Sequence, residues 1–351
     1  MAQRGGDRIR KGTMYILGLE SSCDETSAAV VNMTESGERK ILSNIVASQI
    51  ETHRLYGGVV PEIASRAHIE AISGITYEAL QTAGISVSDL GCVAVTSHPG
   101  LIGALLVGVN FAKSLAYAHK LPLVSVNHVK AHVAAAYLEN PALKPPFVAL
   151  VVSGGHTSIY HVTDDVTFCE IGTTRDDAAG EAFDKIGRVI GMPYPGGAAM
   201  DKLAYEGDAT AFRLPSPALS GETLDFSFSG LKTAALNIIN SERQKGNEPD
   251  HADLTASYTA VIVDALVKKA SAALDAVGSN TLVLAGGVAA NSHIRRALEQ
   301  MCAARGADFY KPSLSLCSDN AAMVAAAGYF EYKAGRLADT SLNASACDED
   351  F

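Results

Sequence analysis

The chain has 351 residues, of which 48% are hydrophobic and 19% charged, and its net charge is −10. That length can bury a large core and suggests two lobes. The acidic balance excludes a protein that coats nucleic acid by bulk charge alone. Thirty-one glycines and no tryptophan fit α/β layers with many tight turns. Six scattered cysteines without a C-x-x-C pair read as reduced thiols, not a disulfide frame. No apolar run approaches the ~18–20 residues of a membrane helix, so a cytoplasmic protein without a membrane partner is expected. Residues 1–13 carry Arg4, Arg8, Arg10 and Lys11 without an apolar core. They are expected to be a flexible tail, not a secretory signal, and Met14 is a possible alternative start.

Tyr15–Leu19 is apolar with strand character. The polar turn Glu20-Ser21-Ser22-Cys23-Asp24-Glu25-Thr26 follows, and Ser27–Val31 is apolar again. This predicts a β-hairpin. Ile63, His68, Ile69 and Ile72 place a helix further on. Val93–Thr96 reads as a buried strand, Leu101–His119 as a long helix, and Leu123–Val126 as the next strand. A second hairpin is predicted from Val148–Val152, the turn Ser153-Gly154-Gly155-His156-Thr157, and Ser158–Val162. Laying Ser22 on Ser153 puts Thr26 on Thr157 and Ser27 on Ser158, so both turns share S-x-x-x-T-S. Hairpin, turn chemistry and position together predict an internal duplication. Two related lobes would then face one cleft, where turn amides can hold phosphate oxygens. Gly154-Gly155 either allows close backbone approach to a ligand or simply makes a tight hairpin.

A helix is predicted from about Ala178 to Gly191, with Asp176 or Asp177 as its cap and Glu181–Lys185 as a surface pair. Asp184 falls on the neighbouring position, towards the cleft. Leu214–Gly230 reads as a surface loop and Thr255–Leu274 as an amphipathic helix. Thr281–Leu284 is a strand that runs into Gly286-Gly287 before another helix, a turn common on the nucleotide side of α/β proteins. Ala321–Phe330 is the last predicted helix, and Asp348-Glu349-Asp350 is an expected disordered tail.

His128 and His132 lie four apart in Val126–Leu138, which has no proline or glycine. On a helix they share one face and can act as paired metal ligands. Spacing alone fits equally well two unrelated histidines on a half-buried helix. A zinc peptidase helix carries H-E-x-x-H with a glutamate base; here that position is Val129, so peptide hydrolysis lacks its base. Asp319, ahead of the last helix, can cap that helix or supply the third ligand.

Together, several blocks resemble a known family, the tRNA N6-adenosine threonylcarbamoyltransferases (TsaD), in its bacterial form. They are Leu19–Thr26, Gly57–Glu62, His128–His132, Val152–Thr157, Asp176–Lys185, Phe226–Thr233, Gly286–Asn291 and Ser318–Asn320. His98 departs from the family pattern, which has glycine there. The resemblance implies an α/β fold of the actin/Hsp70/sugar-kinase (ASKHA) type, with two duplicated lobes around a nucleotide cleft. The first lobe would span 14–145, with a C-terminal helix over 320–337 returning to it. The second would span 146–319, and 338–351 would be the acidic tail.

The resemblance further implies His128, His132 and Asp319 as ligands of one divalent metal, Fe2+ ahead of Zn2+. It implies adenylate binding by Val151, Val152, Ser153, Gly154, Gly155, Asp184, Gly197, Asp201 and Asn291. The reaction would transfer threonylcarbamoyl from threonylcarbamoyl-AMP to N6 of adenosine 37 in tRNAs that read codons starting with A. Implied partners are tRNA, a paralogous ASKHA-fold protein and a small ATPase. Removing a proton from a weakly basic aryl amine calls for a nearby carboxylate, and Glu25 is the candidate. The alternative reading is a small-molecule kinase or ATPase of the same fold, since fold does not fix function. Such an enzyme has no need of a histidine pair.

Overall fold

The computed structural model describes residues 13–347. Ten strands occur in this order: β1 (Thr13–Glu20), β2 (Glu25–Thr34), β3 (Arg39–Ser48), β4 (Cys92–His98), β5 (Leu123–Asn127), β6 (Phe147–Val152), β7 (Thr157–Val162), β8 (Phe168–Thr173), β9 (Thr281–Ala285) and β10 (Asp308–Tyr310). Among them run the helices α1 (Ile50–Arg54), α2 (Pro61–Ala83), α3 (Ile102–His119), α4 (His128–Glu139), α5 (Ala179–Val189), α6 (Gly196–Leu203), α7 (Ser229–Gln244), α8 (His251–Val277), α9 (Ser292–Arg305) and α10 (Ala321–Lys333).

The strands form two five-stranded sheets, ordered β3-β2-β1-β4-β5 and β10-β9-β6-β7-β8. Each sheet has an antiparallel meander, β1-β2-β3 or β6-β7-β8, extended by two parallel strands. Read outward from β1 and from β6, the topologies are the same, as a duplication predicts. The chain divides into two compact units, 13–143 with 312–347, and 144–311. The return to the first unit comes at Pro312, so Asp319 stands in the first unit beside the sheet that carries α4.

In the first unit β1 is central, and Ile16–Glu20 are buried without interruption. A strand covered on both faces reads as a continuous apolar run rather than an alternation. Leu17, Leu19, Val30, Val93 and Val95 pack with Ile75, Ala79 and Leu80 of α2 and Val109 and Ala112 of α3. Each such fully buried Leu or Val contributes about 1.5–3 kcal/mol. Ala321–Phe330 of α10 are all buried. The described part of the C-terminal segment is packed too. Ala338 N donates to Leu123 O at 2.9 Å and Ser345 N to Ser97 O at 2.9 Å. Thr13 opens β1; the rest of the expected N-terminal tail and Asp348-Glu349-Asp350 lie outside the described residues.

In the second unit Phe147–Val152 are all buried, and Phe183 packs edge-on against Tyr258 at 6.0 Å. The predicted loop over 214–230 stops earlier, because α7 begins at Ser229. Buried Lys269 on α8 pins that loop by donating to Leu219 O (2.7 Å) and Thr223 O (2.5 Å).

Two caps differ from the sequence expectation. The predicted 178–191 helix, α5, starts at Ala179 behind Ala178 with no side-chain cap. Asp176 instead accepts from Phe228 N (2.7 Å) and Ser229 N (3.2 Å) at the start of α7. Asp177 pairs with Lys185 at 2.9 Å and Lys232 at 2.5 Å. At α10 the cap is Asn320, whose side chain accepts from Met323 N at 3.1 Å, so Asp319 is not the cap.

Candidate metal centre and nucleotide-side turns

β5 leads directly into α4. Asn127 caps the junction by accepting from Val129 N (2.8 Å) and Lys130 N (3.1 Å). The helix therefore starts at His128, and His132 follows one turn later on the same face. Both histidines are buried, and their ring centroids are 4.7 Å apart. Asp319, just ahead of α10, reaches the same point. Its Oδ1 lies 3.2 Å from His132 Nε2 and 3.6 Å from His128 Nε2. One donor atom from each of the three residues lies within 4.8 Å of the others.

The donor set fits a divalent metal. Both ring nitrogens of His132 are buried without a hydrogen-bond partner, a costly arrangement for a polar group. A cation held between Nε2 and the Asp319 carboxylate would satisfy the nitrogen that faces it. Two imidazoles and one carboxylate also leave positions open for substrate. Among the described residues these three form the only such group of histidine, cysteine and carboxylate ligands.

The first hairpin turn surrounds this centre with carboxylates. Glu20, the last residue of β1, is 1% exposed. Its Oε1 accepts from Ser22 N (2.7 Å) and its Oε2 from Thr96 Oγ1 (2.8 Å), with Oε2 3.1 Å from His128 Nδ1. Ser22 Oγ also lies 3.1 Å from that nitrogen. Burial disfavours a charged His128, but the Asp319 and Glu20 carboxylates override it and push its pKa up to about 9. Glu25 opens β2. Its Oε1 accepts from Ser48 Oγ at 2.9 Å, while Oε2 is buried without a partner. Burial first, then the Asp24 carboxylate, raise its pKa to about 8. Burial and Asp24 likewise keep the Cys23 thiol neutral.

The sequence reading did not single out Glu20, Ser22 or Thr96 as parts of this centre. The available signal was a carboxylate closing an uninterrupted apolar strand, since a buried acid must find partners.

In the second unit, β6 delivers Val151 and Val152 to the turn at Ser153-Gly154-Gly155. Ser153 N donates to His156 O at 2.8 Å, and Ser153 Oγ accepts from His156 N at 3.0 Å. Two backbones press on this turn. A Cβ at Gly180 would sit 2.5 Å from Ser153 O, and one at Gly286, whose φ is +95°, 2.4 Å from Val152 O. Asp184 Oδ1 accepts from Gly196 N (2.7 Å) and Gly197 N (3.2 Å), fixing the start of α6. Asp201 Oδ1 accepts from Ser292 N at 2.9 Å and Ser292 Oγ at 3.1 Å, and Asn291 Oδ1 accepts from Ile294 N at 3.0 Å. These three bonds fix the start of α9. These residues thus organise two helix starts, those of α6 and α9.

The geometry can be set beside known proteins. A curated relative from Clostridium botulinum (strain 657 / Type Ba4), named tRNA N6-adenosine threonylcarbamoyltransferase, is 49% identical over 334 residues, 95% of this chain and 97% of its own length. One of the same name from Clostridium beijerinckii is 49% identical over 94% of this chain and 96% of its own. Among solved structures, full-length HypF in its phosphate- and nucleotide-bound form superposes with a TM-score of 0.60 at 17% identity, over 95% of this chain and 47% of that one. Component A of the (R)-2-hydroxyglutaryl-CoA dehydratase of Acidaminococcus fermentans gives 0.52 at 17%, over 91% of this chain and 99% of that one. These likenesses show the fold, which is of the actin/Hsp70/sugar-kinase type. No helix among the described residues is long and apolar enough to cross a membrane. The family model for tRNA N6-adenosine threonylcarbamoyltransferase, TsaD, matches residues 40–326, and the chain belongs to that transferase family.

Proposed function

We propose that the chain transfers the threonylcarbamoyl group from threonylcarbamoyl-AMP to N6 of adenosine 37 in tRNAs that read codons starting with A. The observation that carries this reading is the convergence of His128, His132 and Asp319 in a chain 49% identical along nearly its whole length to transferases of that name. The N6 amine attacks the carbamoyl carbon, the bond from that carbon to the phosphate oxygen breaks, AMP leaves, and the amine loses a proton.

A divalent metal held by His128, His132 and Asp319, Fe2+ ahead of Zn2+, would supply Lewis acidity and a template for the acyl oxygens. Glu25 takes the amine proton. Burial and the Asp24 carboxylate raise its pKa above that of an ordinary carboxylate, which makes its ionised form the stronger base. In the second unit the amides of the 151–155 turn hold the adenylate phosphate. Asp184 and Asp201 hold the ribose hydroxyls, and Asn291 and Gly197 complete that subsite. The net charge of −10 leaves little nonspecific attraction for RNA. A paralogous partner of the same fold and a small ATPase would supply the rest of the tRNA surface, in the cytoplasm.

The test is a transfer assay with labelled threonine, bicarbonate, ATP, unmodified tRNA and the bacterial partner proteins. The expected result is label on adenosine, lost by more than about a hundredfold in folded His132→Ala and Asp319→Ala, since even outer-shell changes cost 10–100-fold. A metal-replete wild type that labels no adenosine but phosphorylates a small hydroxylated substrate would replace this reading with the kinase one.

A further inference from the structure

We propose that Glu20 is the positioning residue of the metal centre, holding the Nδ1 proton of His128 in place so that Nε2, beside Asp319, is the nitrogen that gives up its proton and offers its lone pair to a metal. This rests on the metal-centred reading of the site. Glu20 ends the central strand and is 1% exposed. A carboxylate buried that deeply persists only where its lone pairs are met. Here they are met by fixed groups: Ser22 N at 2.7 Å, Thr96 Oγ1 at 2.8 Å and His128 Nδ1 at 3.1 Å. The first donor belongs to the hairpin backbone and the second to β4, so the carboxylate is aimed by the sheet itself.

An ionised carboxylate only accepts hydrogen bonds. The shared proton at this contact therefore sits on Nδ1. Ser22 Oγ, also 3.1 Å from Nδ1, can accept from the same N–H, so neither contact asks Nδ1 for its lone pair. Nε2 faces the other way, on the side where His132 Nε2 and Asp319 Oδ1 converge. The two histidines are therefore prepared differently. The protein's own groups orient His128, whereas His132 has no hydrogen-bond partner on either ring nitrogen, so a bound cation would be what fixes its proton.

Glu20→Gln breaks the arrangement whichever way the amide turns. With its NH2 towards His128, Nδ1 must accept, and the proton moves to Nε2, removing the donor lone pair. With its NH2 towards Ser22, two N–H groups oppose each other and the turn loosens. Glu20→Asp keeps an acceptor-only group.

The experiment titrates the metal-free full chain with zinc against a chelating dye, beside an NMR spectrum of the zinc-loaded protein labelled with 15N-histidine. The expected result is a wild-type spectrum with His128 protonated on Nδ1 and coordinated through Nε2. Glu20→Gln should bind zinc about 10–100-fold more weakly, and Glu20→Asp should recover part of that loss. Equal zinc affinity in wild type and folded Glu20→Gln overturns the proposal, as does a wild-type His128 lacking a proton on Nδ1. If Glu20→Gln does not fold, the wild-type spectrum alone decides. A folded wild type that takes up no zinc overturns the metal reading itself, a different result from equal affinities.

Discussion

The two hairpin turns, Ser21–Thr26 in the first unit and Ser153–Thr157 in the second, are built on one plan and carry opposite side-chain chemistry. Each joins a buried central strand to its antiparallel neighbour. Each uses the equivalent threonine to hold a helix: Thr26 Oγ1 lies 2.7 Å from His68 Nδ1 on α2, and Thr157 Oγ1 accepts from Ala179 N at the start of α5 at 2.9 Å. Each uses the equivalent serine to reach the third strand of its meander. Ser27 Oγ donates to Ile45 O at 2.8 Å, and Ser158 Oγ lies 2.8 Å from Thr173 Oγ1. The frame is shared, but the tips differ. The first tip has Glu20, Asp24 and Glu25, three carboxylates that gather positive charge and protons. The second has Gly154 and Gly155 and no carboxylate, so its amides suit an anion. The two turns are equivalent in backbone plan, and the side chains at their tips set them apart.

The largest effect expected from breaking this contrast lies in the first turn. Glu25→Gln should lower transfer by about 10²–10⁴, the usual contribution of a general base. It should also flatten the rise of the rate with pH. In the metal-bound enzyme that rise falls below about 8, because a nearby cation favours the carboxylate. Stability of the metal-free chain should move the opposite way. The folded state raises Glu25 from 4.5 to about 8, so between those values it holds a proton that the unfolded chain has released. Wild-type stability therefore falls as pH rises through that window. Glu25→Gln should be the more stable protein at pH 8.5, by a few kcal/mol at most, and the two should converge near pH 4. Thermal unfolding with a chelator present checks this. A variant with full activity and an unchanged pH profile would remove Glu25 from the mechanism.

How much of this was legible in the sequence depended on distance along the chain. The hairpins, the central strands and the His128–His132 pair follow from local periodicity and spacing, which act over a few residues. Of the four edge strands only β5 has a local signature in the sequence; β3, β8 and β10 do not. In β3 the burial alternates irregularly around Ser43 and Asn44, and β8 pairs with β7 across a register shift at Ile159/Tyr160, so neither shows a clean apolar period. The caps were misassigned for a related reason. Asp176 sits beside α5 in sequence, yet the amides it meets are at Phe228 and Ser229, which no local rule anticipates. Glu20 was passed over because an acid at the end of an apolar run looks like a strand terminator until Thr96 and His128 arrive from other elements.

The second turn gives an intermediate effect and separates ligand approach from packing. A Cβ at Gly154 meets nothing within 4 Å, whereas one at Gly180 meets Ser153 O at 2.5 Å and Gly154 Cα at 2.8 Å. Gly154→Ala should therefore keep the fold and lower the affinity for AMP about tenfold, by holding the phosphate off the turn amides. Gly180→Ala should shift the turn itself and cost about 1–3 kcal/mol of stability from overpacking. Calorimetric AMP binding beside denaturant unfolding distinguishes the two. If Gly154→Ala binds AMP as wild type does, the open turn is only a tight hairpin.

The smallest effect comes from the threonine that both turns share. Thr157→Val removes the acceptor of Ala179 N, at an α5 start that has no side-chain cap of its own. Losing a capping bond typically costs about 1 kcal/mol. Thr26→Val removes instead the hydroxyl beside His68 Nδ1, leaving His68 Nε2 bonded to Cys23 O at 3.0 Å. There a buried ring nitrogen loses its close partner and keeps only the Gln49 amide at 3.5 Å. The cost should be similar or somewhat larger, since a poorly satisfied buried polar atom costs about 1–3 kcal/mol. The functional consequences should divide by unit. Thr157→Val should weaken AMP binding and leave zinc binding unchanged, and Thr26→Val should do the reverse, because each threonine anchors only its own turn. If both variants weakened both ligands equally, the two turns would be energetically coupled, and their chemical division of labour would not extend to their stability.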